Sequence, residues 1–257
     1  MERKNNVRQQ FDLLWLLIKK EVTLKYKRTY LGILWSLLNP LLSALALFIA
    51  FNIFMRFEME NYTLFLLAAL FPWTWFSASV TMSTVTLTSN ISLIRKVLLP
   101  KHFLIIATVV GQLINLIFAI PILVALVYYY DKSPALNWLV GIPLLILIQF
   151  IVTLGLSLLL SIVNAFFRDM EYVIGVSINM LFWLTPIVYP FEAVPEHYRI
   201  YLTINPLTYL IAAWRDIFLF NNIRWTNIGV SSITACVFFF IGWWLYKKLD
   251  GKLNEVL

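Results

Sequence analysis

Charged residues are scarce in this chain. They make up 13% of its 257 residues, whereas a water-soluble domain carries about 25%. Cysteine occurs once, which excludes a disulfide-stapled fold, and eight glycines are too few for a collagen-like repeat. The net charge of +7 is too thinly spread to indicate a nucleic-acid site, and 61% of the residues are hydrophobic. The composition therefore predicts a membrane protein without a nucleic-acid partner.

Long uncharged runs predict how the chain crosses the bilayer. Six runs of 20 to 35 residues contain no charged side chain, and about 20 apolar residues are enough to cross the hydrocarbon core. The runs lack the alternation of barrel strands, so we predict one all-α transmembrane domain over residues 1–257. The predicted transmembrane helices are 31–55, 63–86, 103–129, 138–163, 172–189 and 226–246.

The distribution of charge predicts the orientation. Six crossings place both termini on the same side, together with 15 basic and seven acidic residues, a balance of +8. The opposite side receives five basic and six acidic residues, a balance of −1. Because Lys and Arg concentrate in cytoplasmic loops, we expect both termini in the cytoplasm.

A basic amphipathic helix is predicted over residues 9–30. Apolar residues recur on one face at helical spacing, while Lys19 and Lys20 lie elsewhere on the helix. This pattern is typical of a helix that lies in the plane of the membrane interface. Such a helix either anchors the first span or also provides a docking surface for a cytoplasmic partner.

The connector between the second and third spans, residues 89–101, has a similar character. Ile91, Ile94 and Leu98 form an apolar stripe beside Arg95, and Pro100 ends the segment. One interpretation is an ordinary amphipathic connector. The alternative is a short transverse helix that fits into a cleft of a partner subunit.

Aromatic side chains cluster inside the spans as well as at their ends. Trp73 and Trp75 lie near the middle of one run and precede the hydroxyl-rich residues 81–88, and Phe182 and Trp183 lie in another. Aromatic belts at the interface and hydroxyls that bond neighbouring helices are common in membrane proteins. Ring faces and hydroxyls together would also suit a sugar, so both interpretations stay open.

Residues 190–225, on the predicted external side, are too apolar for a simple loop. Within them an apolar stretch, 200–214, is only 15 residues long and contains Asn205-Pro206. Stretches of this length favour re-entrant or interfacial helices over a crossing. We therefore predict a pair of short helices that acts as a lid or gate.

The sequence offers no chemistry of its own for catalysis or energy supply. Its only Gly-Lys pair, Gly251-Lys252, lacks the glycine-rich lead of a phosphate-binding loop. His102 and His197 have no metal-ligand spacing, and no span carries the central ionisable residue that ion-driven transport usually needs. We expect no catalytic residue, metal or cofactor in this chain. A transporter of this kind would need its energy from elsewhere.

Four short motifs follow one another along nearly the whole chain. They are YLGILWSLLNP at 30–40, FFRD at 166–169, FWLTPI at 182–187, and NPLT at 205–208 followed by Arg215. This ordered set resembles the membrane subunits of type-2 ABC exporters. The most similar branch exports polysaccharides, namely O antigens, teichoic acids and capsules.

The resemblance implies a homodimer of six-helix subunits in the inner (cytoplasmic) membrane. Each subunit would bind a separate cytoplasmic ATPase, two copies in all, which holds ATP and Mg²⁺. The implied substrate is a lipid-linked polysaccharide, O antigen above all. Alternatives are a type-2 exporter of teichoic acid, capsule, lipid or drug and, more distantly, a passive channel. A membrane-embedded enzyme would need a convergent set of acids, nucleophile or metal ligands, and the sequence contains none.

The resemblance also implies roles for particular residues. Coupling to the ATPase is expected at Lys19, Lys20, Ile91, Ile94, Arg95 and Leu98. Aromatic residues expected to line the channel are Trp73, Trp75, Phe182 and Trp183. Basic side chains pair well with phosphate, and those expected to receive the lipid pyrophosphate at the cytoplasmic entrance are Lys27 and Arg28. Residues expected in the external gate are Pro195, Asn205, Pro206 and Arg215.

Overall fold

The computed structural model describes residues 2–26, 30, 32, 34–56, 59–97 and 99–253. Within these ranges the chain is helical and contains no strand, which confirms the predicted all-α class. The helices are α1 (Glu2–Tyr26), α2 (Leu34–Phe48, continued by a π-helix, Ile49–Phe54), α3 (Tyr62–Ser89), α4 (Ile91–Lys96), α5 (His102–Tyr129), α6 (Asn137–Phe166), α7 (Met170–Leu184), α8 (Arg199–Ile204), α9 (Pro206–Phe220) and α10 (Trp225–Asp250).

Five helices in this part of the chain are long and apolar enough to cross a membrane. They are α2 with its π-helical continuation, α3, α5, α6 and α10, and each overlaps a predicted span. The predicted span 172–189 corresponds to the shorter helix α7, which has 15 residues. It ends at Leu184 because Pro186 disfavours helical geometry at Thr185, whose backbone is extended.

The centre of the subunit is α3. It buries most of its length, whereas little of the α2 span is buried, and it packs against α5, α6 and α9. Only Ile174 is buried among the residues of α7. The outer faces of α2 and α7 are therefore left uncovered by the described part of the chain.

Both predicted amphipathic segments contain helices. Residues 9–26 of the predicted 9–30 segment belong to α1, which packs along α5. Residues 89–101 contain the six-residue helix α4, which ends because Val97 adopts an extended backbone. The predicted gate region 190–225 contains two 3-10 turns, Phe191–Ala193 and Glu196–Tyr198, followed by α8 and α9.

Two glycines bring α6 and α10 into close backbone contact. A Cβ atom built on Gly242 would overlap the carbonyl oxygen of Gly155, and one built on Gly155 would lie 2.5 Å from the backbone nitrogen of Phe239. Small residues allow membrane helices to approach this closely. The pair therefore fixes the last helix against α6.

We expect Gly242→Ala to lower the free energy of unfolding by about 1–3 kcal/mol, because the overpacked backbones must move apart. Gly229→Ala, on the same helix, is the matched control, since a Cβ there has no atom within 4 Å. Thermal unfolding of both variants in the same detergent measures the difference. Equal melting temperatures would contradict the close contact between α6 and α10.

Candidate functional site

A groove runs between α2 and α7 with α3 as its floor, and its volume is about 530 Å³. Trp73 of α3 and Phe182 of α7 line it, and their ring centroids lie 5.8 Å apart. The polar side chains that line it are Ser43, Thr74, Ser77 and Asn179. We call it the α2–α7 groove. It combines aromatic rings with hydroxyl and amide groups on a face of the subunit that α2 and α7 leave open.

Two of the four aromatic residues predicted to line a channel, Trp73 and Phe182, line this groove. Phe182 contacts Trp73 and also Trp183, whose ring centroid lies 5.2 Å away, and half of Trp183 is exposed. Trp75 instead is 1% exposed, and its Nε1 donates to the carbonyl oxygen of Val109 at 3.2 Å. Side chains two positions apart on a helix point about 200° away from each other around its axis. Trp73 and Trp75 therefore face different neighbours. Trp75 packs against α5 in this arrangement and presents no face to the groove.

A second cavity, of about 470 Å³, lies where α1 and α2 meet α3 and α5. Ser43 and Thr74 line both this cavity and the α2–α7 groove, so the two spaces adjoin. In it the Nζ of Lys25 donates to Oε1 of Gln112 at 2.6 Å, and desolvation lowers the pKa of Lys25 to about 8. The predicted phosphate-binding residues Lys27 and Arg28 follow in sequence but lie outside the described residues.

The end of α3, α4 and the start of α5 form a corner with α1. The Nζ of Lys20 in α1 donates to Oδ1 of Asn90, at 3.0 Å, just before α4. Leu17 of α1 is buried together with Leu104 and Ala107 of α5. We call this unit the α1–α4 corner. Its contacts join the amphipathic helix and the connector into one packed body.

The predicted coupling residues divide between the inside and the outside of this corner. Ile91 and Ile94 pack against clusters of buried residues in their own subunit, so the described part of the connector's apolar stripe faces inward. Lys19 and Arg95 are exposed, as is Lys96, whereas Lys20 is half-buried. Leu98 lies outside the described residues. A partner that approaches the corner would meet basic side chains before it met the apolar stripe.

In the gate region, Asn205 joins α9 to the segment after α7. Its side chain accepts from the backbone N–H of Leu207, which caps α9, and its Nδ2 donates to Oγ1 of Thr185 at 2.8 Å. Pro206 occupies the first turn of α9, where its missing N–H is not needed. Pro195 lies apart from this junction, exposed before the second 3-10 turn.

Arg215 is buried and bonds to backbone carbonyls. Its Nη1 and Nη2 donate to the carbonyl oxygens of Pro186 and Ile187, both at 2.6 Å, and its Nε donates to that of Phe65 at 3.2 Å. The guanidinium carbon also lies 3.4 Å from the centroid of the Phe65 ring. Arg215 thus connects α9, α3 and the segment after α7.

Gln149, which the motifs and periodic patterns of the sequence did not indicate, bridges three helices. Its Nε2 donates to the carbonyl oxygen of Pro72 at 2.7 Å, and its Oε1 accepts from Nε1 of Trp214 at 2.6 Å. Both bonds are buried and join α6 to α3 and α9. A lone amide in the apolar run 138–163 is the signal that would have found it, because polar groups inside a membrane need partners.

Sequence comparisons agree with this architecture. The family described as "ABC-2 type transporter" matches residues 12–219. The O-antigen export system permease protein RfbA of Klebsiella pneumoniae is 34% identical over 257 residues, which is 100% of this chain and 99% of the relative. RfbA of Myxococcus xanthus is 31% identical over 82% of this chain and 81% of its own length. The polysialic acid transport protein KpsM of Escherichia coli is 25% identical over 92% of this chain and 93% of its own. Together with five helices of membrane-spanning length, the family match over most of the sequence shows that this chain belongs to the ABC-2 type transporter family.

Proposed function

We propose that this chain is the permease subunit of an ATP-driven exporter that moves lipid-linked O antigen across the cytoplasmic membrane. The relatives at 34% and 31% identity are named as O-antigen export permeases, and the motifs in the sequence resemble the same branch. The single observation that carries the proposal is the α2–α7 groove. A glycan needs ring faces for its C–H surfaces and hydrogen-bond partners for its hydroxyls, and the groove contains both.

Two copies of the subunit would close this groove into a channel. Asn39 of α2 and Asn179 of α7 are exposed, and polar side chains are costly against lipid. A second copy that covers α2 and α7 would remove these amides from lipid and leave them facing a polar path.

At 15 residues, α7 is about 22 Å long, so residues 185–189 would complete the sixth crossing. Both termini would then lie in the cytoplasm, as the charge balance predicts.

A separate cytoplasmic ATPase, in two copies, would supply the energy. We infer that it docks on the α1–α4 corner through the exposed basic side chains there. The inward packing of Ile91 and Ile94 supports a rigid corner that moves as one piece when the ATPases close. Lys20 and Asn90 would carry that movement between α1 and α3.

The cavity at Lys25 would be the cytoplasmic entrance. It adjoins the groove through Ser43 and Thr74, and Lys27 and Arg28 follow α1 in sequence. A pyrophosphate bound by these basic side chains would place the first sugar at the start of the groove. On the external side, α8 and α9 would form the gate, held by Asn205 and Arg215.

Complementation tests the proposal. A strain that lacks this gene should lose surface O antigen, and the chain expressed with its native ATPase should restore it. Affinity purification from those membranes should recover the ATPase in equal amount. A chain that purifies alone, from cells whose surface glycan is unaffected by the deletion, would refute the proposal. If the deletion removes a capsule and spares O antigen, the substrate resembles that named for the polysialic acid transport protein.

Reversing the charge at the end of α4 should weaken docking of the ATPase. Lys96 is exposed, so Lys96→Glu should preserve the fold. An ATPase surface that docks on basic side chains would be acidic, and the new carboxylate would face it. Like charges opposed at an interface cost several kcal/mol. We expect at least tenfold less ATPase to be recovered with the variant. Lys252→Glu, at an exposed residue that belongs to none of the helices of the α1–α4 corner, is the control and should recover the normal amount. Equal recovery of the ATPase with both variants would show that it does not dock at α4.

A further inference from the structure

A third cavity lies on the side of the subunit that the gate helices occupy. Its volume is about 340 Å³, and it is enclosed by the start of α3, the segment after α7, α8, α9 and the start of α10. It shares no lining residue with the α2–α7 groove. Small-molecule sites in proteins measure about 300–1,000 Å³. The cavity is therefore large enough for a small ligand, and it is separate from the α2–α7 groove.

Four charged side chains line the cavity, and their charges cancel. Arg215 and Arg224 are basic, and Asp216 and Glu192 are acidic. The Nε of Arg224 lies 3.2 Å from Oδ1 of Asp216, whose Oδ2 accepts from Nδ2 of Asn227 at 2.8 Å. A phosphate would need a net positive site and an ammonium ligand a net negative one. The balance favours a neutral ligand that has both hydrogen-bond donors and acceptors.

Thr208 places a hydroxyl-bearing side chain, unpartnered among the described residues, in the wall of the cavity. Its side chain lines the cavity and the residue is 5% exposed. Its Oγ1 has no hydrogen-bond partner in the described part of the chain, although buried hydroxyls are nearly always bonded. A rotation of the Thr208 side chain toward the cavity would allow its Oγ1 to bond a ligand hydroxyl there.

The remaining lining is rich in aromatic rings. Phe191, Tyr209 and Phe220 line the cavity, and Arg224 lies over the ring of Phe220, with its Cζ 5.9 Å from the centroid. Aromatic rings pack well against apolar faces, and the charged side chains around them carry donor and acceptor groups. A sugar ring presents this combination of an apolar C–H face and a polar hydroxyl rim.

We propose that this cavity binds a neutral sugar residue of the exported glycan after it has passed the gate helices. The site rests on the proposed function, because the export of a glycan supplies the ligand. Bound there, the emerging chain would be retained on the external side while the subunit resets. Retention of this kind would disfavour backward movement between export steps.

Binding to the purified complex tests the site. The protein is the permease with its ATPase in lipid nanodiscs, and the probes are short neutral oligosaccharides cut from the host O antigen and, separately, inorganic phosphate. Thr208→Val removes a hydroxyl that forms no internal bond, so stability should not fall. Loss of one hydrogen bond should weaken oligosaccharide binding about threefold to tenfold. Thr153→Val is the matched control, since Thr153 is also buried and unpartnered within the described residues but lies outside this cavity.

Weaker oligosaccharide binding in Thr208→Val alone would support the site. No binding to the wild type, equal binding to all three proteins, or displacement of the oligosaccharide by phosphate would overturn it. Binding that is lost on blocking the α2–α7 groove with Gly175→Trp, yet kept in Thr208→Val, would assign the probe to the groove and also overturn it. Complementation of surface glycan is scored separately. Normal export by a permease that binds no oligosaccharide would refute this site and leave the proposed function intact.

Discussion

Replacing Arg215 with methionine should strongly destabilise the folded subunit. The guanidinium bonds the carbonyl oxygens of Pro186 and Ile187, which accept from no other donor in the described ranges. Methionine fills similar space but donates nothing. A buried acceptor left without a donor costs about 1–3 kcal/mol, so the two together predict a loss of about 2–6 kcal/mol. The third carbonyl, at Phe65, lies inside α3 and keeps a helical partner.

Loss of Arg215 should also release the gate. Its three bonds connect α9 to α3 and to the segment after α7, and Asn205 would remain as the other link between α9 and that segment. We expect the external side of the variant to become sensitive to added protease while the rest of the chain stays protected. Arg215→Lys should recover only part of the stability, because an ammonium group lacks the planar fork that reaches two carbonyls together.

Arg199→Met is the matched control for this experiment. Arg199 also donates to two backbone carbonyls, those of Val194 and Glu192, but these bonds lie at a partly exposed site where water can replace them. The control should therefore lose less than about 1 kcal/mol. Thermal unfolding in nanodiscs compares the variants directly. Similar melting temperatures for Arg199→Met and Arg215→Met would show that the buried bonds do not hold the gate segment.

The sequence was enough to predict the features that depend on local composition. Uncharged runs located the five long helices, and the break at Asn205-Pro206 predicted short helices between 190 and 225. It could not predict which way a helix is turned within the bundle. Trp73 and Trp75 are equivalent by composition, yet only Trp73 reaches the groove, because the packing of α3 against α5 and α6 fixes its rotation.

The same limit applies to the connector and to the gate. An apolar stripe at Ile91 and Ile94 indicates an amphipathic helix, but only tertiary contacts decide whether the stripe faces a partner or its own subunit. Arg215 was predicted as a gate residue from its motif, whereas its bonds to carbonyls 28 and 29 positions earlier in the sequence, and to Phe65, arise from long-range folding. Partners of this kind leave no periodic pattern in the sequence.

Filling the α2–α7 groove should abolish export without unfolding the subunit. Gly175 of α7 lines the groove, and a Cβ there meets no atom within 4 Å. Gly175→Trp should therefore be accommodated by the single subunit, while its indole takes up a large part of the space between α2 and α7. We expect surface O antigen to fall at least tenfold, because a glycan cannot pass a blocked path or two subunits cannot close around it.

Gly229→Trp separates blockage from a general effect of a bulky side chain. Gly229, on α10, likewise meets no atom within 4 Å, but it does not line the groove. This control should express, bind the ATPase and export normally. The mass of the complex that each variant forms in detergent then distinguishes the two causes of failure. If Gly175→Trp is dimeric and binds ATPase but exports nothing, glycan passage is blocked. If it is monomeric, dimer assembly is blocked. Because both outcomes require the α2–α7 face to be used, export by Gly175→Trp at the level of the control would place the translocation path elsewhere in the protein.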